Sequence, residues 1–147
     1  MTEISRSIEI AAPRDQVWAY IQPENWTKIF DFVREVDGYT NGQPGVGTRA
    51  RVVAGTDAQS TVQYNVEITE FKAPERIVYR RYGGPLSGKG VIEVKPLQKG
   101  TLFVRTSYYE DDLSESTIEM LSANLERDNR KIRRNIEHAV LRRASSR

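Results

Sequence analysis

The stretch Ser116–Arg143, STIEMLSANLERDNRKIRRNIEHAVLRR, carries apolar side chains at Ile118, Leu121, Leu125, Ile132, Ile136 and Val140. The steps between them are three, four or seven residues, which keeps all of them on one face of a 3.6-residue helix. Asn129 fills the slot that the seven-residue step skips. A helix of about 40 Å, at 1.5 Å per residue, must lay such a stripe across another apolar layer. The polar side chain in mid-stripe predicts that the two layers do not close completely, leaving a space in which the function resides. In an ordinary filled core, Asn129 would instead hydrogen-bond a backbone or water group nearby.

The partner layer is written in the preceding residues. Ile4, Arg6, Ile8 and Ile10 alternate with Glu3, Ser5, Ser7 and Glu9, the two-residue period of a half-buried strand. Pro13 then opens a short helix with Val17, Trp18 and Ile21 on its apolar face, because its fixed φ suits a first turn. Gln22-Pro23 breaks it, and Trp26, Ile29 and Phe30 mark a second short helix. From Val33 onward the rhythm is that of strands. Asp37–Thr48, DGYTNGQPGVGT, reads as a turn. Arg49–Ala54, Val62–Thr69, Arg76–Tyr82, Val91–Val94 and Thr101–Glu110 follow, separated by Lys72–Glu75, GGPLSGKG at Gly83–Gly90 and Lys95–Gly100. The closing helix is predicted to start near Ser114 or Ser116, since Ser116 and Glu119 have capping-box spacing.

Composition narrows the chemistry. The chain has 147 residues, enough for one domain with a core of its own. With no cysteine and a single histidine, His138, placed off the apolar stripe beside Glu137, thiol catalysis, Cys-ligated zinc and a His-based triad are set aside. No basic head followed by an apolar run opens the chain, and nowhere do about 18 apolar residues run together. A soluble, cytoplasmic protein with no transmembrane segment is expected. The net charge of +2 gives no argument for nucleic acid. Glu110, Asp111, Asp112, Glu115 and Glu119 lead into the last helix and Arg127, Arg130, Lys131, Arg133, Arg134, Arg142 and Arg143 follow, a gradient that complements the helix dipole.

Two local motifs dissolve on inspection. Gly83, Gly88 and Lys89 have phosphate-loop spacing, but Gly90 replaces the hydroxyl residue and a strand-like segment follows where a helix N-terminus is needed. A hairpin bordering a cavity mouth fits better. Asn25-Trp26-Thr27 matches a glycosylation acceptor, which has no meaning without secretion.

The element order and several strings resemble the START-like (SRPBCC) superfamily, in particular its polyketide cyclase/dehydrase-like branch. The strings are IEIAAPRDQVWAYI at Ile8–Ile21, the lone Trp26, PGVGTR at Pro44–Arg49, EFKAPERIVYR at Glu70–Arg80 and KPLQKGT at Lys95–Thr101. The resemblance implies one α+β domain over residues 1–147 with a helix-grip fold. In it a curved antiparallel sheet of about seven strands, with two short helices after the first strand, wraps around the C-terminal helix. It implies a cavity between sheet and helix, and it leaves the chemistry open, because the superfamily spans carriers, receptors, cyclases and chaperone activators.

On that geometry Tyr64, Val66, Tyr79, Arg81, Ile92 and Val94 face inward, and Trp26 and Phe30 close one end. Leu121, Asn124, Leu125, Asp128 and Asn129 look down from the helix. The last strand is ambiguous, since Phe103, Arg105 and Ser107 compete with Leu102, Val104 and Tyr108 for the inner face. Arg81 and Arg105 either stand solvated on the convex face, paired with acids such as Glu93, or point inward and need an anion. Asp128 has Lys131 one turn on as a plain partner.

Three functions are then in competition. The first is binding of a lipid, isoprenoid or polyketide-like molecule, with no cofactor and no metal. The second is a cyclase, aromatase or dehydratase in which Tyr64, Tyr79 and Arg105 stabilise an enolate and Asp128 or Glu67 moves protons. The third is a protein- or RNA-interaction module using Arg127, Arg130, Lys131, Arg133 and Arg134. An exposed patch on the convex sheet face is the candidate contact for a possible homodimer.

Overall fold

A computed structural model describes residues 1–37, 45–55 and 59–145. The chain runs β1 (Thr2–Ile10), α1 (Arg14–Tyr20), a 3-10 turn at Pro23–Asn25, α2 (Trp26–Ile29) and β2 (Val33–Asp37). Then come β3 (Arg49–Gly55), β4 (Thr61–Lys72), β5 (Arg76–Tyr82), β6 (Gly88–Pro96), β7 (Thr101–Tyr109) and α3 (Glu115–Ser145). The strands form one sheet in the order β1-β7-β6-β5-β4-β3-β2, antiparallel throughout. β1 and β2 therefore stand at opposite edges, and the short helices between them span the distance. This is the α+β helix-grip arrangement that the resemblance implied. Residues 38–44 of the Asp37–Thr48 turn lie outside the described residues.

α3 meets the sheet mainly along β1. Its N-cap is Ser114, whose Oγ accepts the Thr117 amide at 3.2 Å. The Ser116–Glu119 spacing thus falls inside the first turn, because the earlier serine has already taken the orphan donor. Leu121, Leu125, Ile132 and Ile136 are buried. At about 1.5–3 kcal/mol for each fully buried aliphatic side chain, they hold the helix down with a gross gain of roughly 6–12 kcal/mol.

β4 shows how the sequence bends its own period. Val62, Tyr64, Val66 and Ile68 share the inner face, and strict alternation would put Phe71 outside. A register shift between Ile68 and Glu70 flips the parity, pairing Phe71 with Ile77. Phe71 then packs edge-on against Trp18 of α1, with ring centroids 5.4 Å apart.

The interior is divided. The main cluster joins α1 and α2 to the sheet and to Ile132 and Ile136 of α3. A smaller cluster gathers Ile4, Tyr109, Leu121 and Leu125, with Leu86, Leu113 and Ile118 against it. Along α3 the handover from one to the other falls at Asp128 and Asn129. The convex face carries ion pairs, Arg49–Glu67 at 3.6 Å, Arg80–Glu67 at 2.8 Å and Arg76–Glu93 at 3.1 Å. The large exposed apolar side chains are Met1, Val46, Leu97, Met120 and Leu141, none of them on that face among the described residues.

Candidate ligand-binding site

Where the two clusters meet, the sheet and α3 enclose a cavity of about 90 Å³. Aromatic side chains wall it. α2 and the turn after it supply Trp26, Phe30, Phe32 and Val33, and β4 supplies Tyr64 and Val66. Trp26 sits 5.1 Å from the Tyr79 ring and 6.0 Å from that of Phe30, and its indole donates to the Ile21 carbonyl at 3.3 Å. Tyr79 can lie flat across the sheet because its cross-strand partner is Gly90. A Cβ at Gly90 would overlap the phenol ring.

The polar wall comes from β5, β7 and α3. Both arginines that sequence left ambiguous point inward, with Arg81 7% and Arg105 9% exposed. Arg81 donates to the backbone carbonyls of Leu86 (2.9 Å) and Tyr108 (2.8 Å) and lies over the Tyr109 ring. Arg105 lies 4.0 Å from the Phe30 ring centroid, and its Nη1 reaches Asp128 Oδ2 at 3.4 Å. That is long for a charge-assisted bond, for which about 2.7–2.9 Å is usual. Asp128 also accepts the Asp31 amide at 3.2 Å. Lys131, its expected partner, bonds Asp31 instead at 2.6 Å, and Glu93 pairs with Arg76 rather than with Arg105. Burial pushes the Asp128 carboxyl above its ordinary value against the opposing pull of Arg105. Burial likewise raises the Tyr64 phenol, which stays protonated as a donor. Among the described residues no group of three or more His, Asp or Glu could hold a metal ion.

The cavity brings together Trp26, Phe30, Tyr64, Val66, Tyr79, Arg81, Arg105, Leu121, Asn124, Leu125 and Asp128 from the expected set. Ile92, Phe103 and Asn129 are not among its walls. Ile92 and Phe103 do face inward, but at a level of the sheet filled by the main cluster. Asn129 is one residue, hence about 100° of helix, from Asp128, so it sits within the stripe between Leu125 and Ile132, away from the flank that carries Asn124 and Asp128. There it is 2% exposed, and neither Oδ1 nor Nδ2 has a hydrogen-bond partner among the described residues. Phe32, Val33, Leu86, Ser107 and Tyr109 complete the lining. The last two share strand parity with Arg105, a signal available once that residue's side is known. Leu86 sits on the Gly83–Gly90 hairpin, at a positive φ of 62°.

With this architecture in view, the comparisons with known proteins fall into place. The profile of the family described as polyketide cyclase/dehydrase and lipid transport matches residues 1–137. The chain belongs to that family. Solved structures similar to it include a Deinococcus radiodurans protein with 20% identity and a TM-score of 0.74, covering 94% of this chain and 99% of that one. The Zhui aromatase/cyclase from Streptomyces sp. R1128 has 18% identity and a TM-score of 0.67, covering 95% of each chain. The Aha1 dimer from Colwellia psychrerythraea has 10% identity and a TM-score of 0.70, covering 93% of this chain and 97% of that one. At such identities the likeness is one of fold. No curated protein sequence matches the chain. No helix among the described residues is long and apolar enough to cross a membrane.

Proposed function

We propose that the protein binds a small apolar or aromatic molecule in the cavity between the sheet and the first half of α3. The observation that carries this reading is a buried space walled by Trp26, Phe30, Tyr64, Tyr79 and Tyr109, with a few polar groups on one side. At about 90 Å³ the cavity is smaller than the roughly 150 Å³ that takes up benzene. Entry of a ring therefore needs a wall to move, and Leu86 is the wall suited to it. Its left-handed backbone costs about 1–2 kcal/mol, and the hairpin is held down by the Arg81 bond to the Leu86 carbonyl. Displacing the hairpin relieves the strain while exchanging that bond.

A second reading, aromatase/cyclase or dehydratase activity, is favoured by one observation: Tyr79, Arg105 and Asp128 line the same space. A neutral phenol and a guanidinium would stabilise an enolate, and a carboxyl with a raised pKa would deliver a proton. Screening lipid and aromatic libraries by amide chemical-shift mapping tests both readings, since substrates must bind before they react. Shifts confined to α2, β4, β5, β7 and residues 121–128 are expected. Shifts only on the basic outer face of α3, or none at all, would refute the cavity as the site.

A further inference from the structure

We infer that the ligand is a monoanionic acid, and that its carboxylate docks on Arg105 by taking over the contact now made by Asp128. The inference rests on the ligand-binding reading above and adds the ligand's charge to it. The cavity walls carry two guanidinium groups, Arg81 and Arg105, and one carboxylate, Asp128. All three are buried, so the enclosed charge at pH 7 does not balance. Buried charges are stabilised only by close, well-formed partners. Arg81 has backbone carbonyls and a ring but, among the described residues, no carboxylate. Arg105 has one long contact to Asp128, and among the described residues no other hydrogen-bond acceptor meets its five donor hydrogens.

The hydroxyls of Tyr64, Tyr79 and Tyr109 also have no hydrogen-bond partner among the described residues, and all three side chains line the cavity. Arg81 and Arg105 line the same space as these three phenols. Donors converging there, with a single loosely held acceptor, describe a carboxylate seat.

One negative charge brings the walls to neutrality, whereas a phosphate dianion would overshoot. The apolar walls take the rest of the molecule. Asp128 can yield its place because the Asp31 amide still holds it at 3.2 Å. In that case Asp128 competes with the ligand, and weakening its hold on Arg105 strengthens binding.

The test uses matched probes at pH 7, 2-naphthoate against 2-naphthamide and octanoate against octanamide, read by titration calorimetry. Each acid that fits is expected to bind at least about tenfold more tightly than its amide, the factor carried by one charge-assisted hydrogen bond. The ring pair and the chain pair separate an aromatic from a fatty acid. Asp128→Asn retains an acceptor for the Asp31 amide and is expected to tighten acid binding and to raise the ratio of acid to amide affinity several-fold. Arg105→Gln is expected to bring acid affinity down to that of the amide. Equal affinity for acid and amide overturns the inference and leaves the cavity reading standing. Acid affinity unmoved by Asp128→Asn overturns the exchange even where Arg105→Gln does not fold. No binding of any probe at about 1 mM overturns the inference and the cavity reading together.

Discussion

Replacing Asn129 by leucine should make the protein more stable. Asn129 is 2% exposed, and both ends of its amide lack a hydrogen-bond partner among the described residues. A buried unsatisfied group costs about 1–3 kcal/mol. Leucine keeps the branching at Cγ, removes that penalty and gains about 0.5 kcal/mol in helix propensity. Fitting its extra volume between Leu125 and Ile132 costs about 1 kcal/mol in packing strain. The balance is a gain of about 1.5 kcal/mol, or roughly 5 °C in Tm at about 3–4 °C per kcal/mol for a chain of this length. Urea unfolding followed by circular dichroism, paired with calorimetry, measures it. Asn129→Ala relieves the same penalty with no added bulk and should be within about 1 kcal/mol of wild type, since the void it leaves offsets the relief. If both variants lose more than about 1.5 kcal/mol, the amide is satisfied in solution and the reasoning fails. Neither should alter ligand binding, because Asn129 is not a wall of the cavity.

Other expectations follow from neighbouring residues. Alanine normally outperforms glycine in a strand by about 0.5–1 kcal/mol, yet Gly90→Ala should lose about 1–3 kcal/mol and weaken ligand binding, because the new Cβ meets the Tyr79 phenol; added to a Tyr79→Ala background the same substitution should cost little, and strict additivity would refute the contact. In an ultraviolet phenolate titration, Tyr64→Phe should match wild type at about pH 11, since burial keeps that phenol protonated; a deficit of one tyrosine's absorbance would show otherwise. Asp128 predicts a pH dependence whose sign is fixed by its upward shift from 3.8. Between that value and the raised one, the folded state binds the proton that the unfolded chain has lost, so stability falls as pH rises through the window, by up to about 1.4 kcal/mol per unit. Arg105 on β7 and Asp31 before β2 set that field, and Arg127 and Lys131 of α3 pair with Asp31. Urea midpoints should therefore show Asp128→Asn ahead of wild type at pH 7 and level with it near about pH 4, and a pH-independent gap would contradict this.

The sequence spoke clearly wherever the interior is apolar. The stripe of α3 and the alternation of Val62, Tyr64, Val66 and Ile68 in β4 are written mainly in apolar side chains, and both lie as periodicity says up to the register shift after Ile68. β7 was silent because its inner face turns polar at Arg105 and Ser107, while Leu102, Val104 and Tyr108 are only half-buried outside. A hydrophobic pattern fails where a site replaces the core. Asn129 sits at the level of the cavity but in mid-stripe, whereas the polar walls from α3 are Asn124 and Asp128 on its flank; a polar slot gives axial position far better than the angle of a neighbouring void. Phe32 and Leu86 reach the cavity from a turn and a hairpin, and Val33 from the first position of β2, where no period exists to be read.

The division of the interior gives α3 two masters. Its C-terminal half is fastened into the larger cluster through Ile132 and Ile136, its N-terminal half only into the smaller one through Leu121 and Leu125. Segments anchored by fewer buried contacts open at lower free energy. Amide protons between Ile118 and Arg127 should accordingly exchange with solvent sooner than those between Ile132 and Val140, so that a single unbroken helix breathes at the end that roofs the cavity while the other end stays shut.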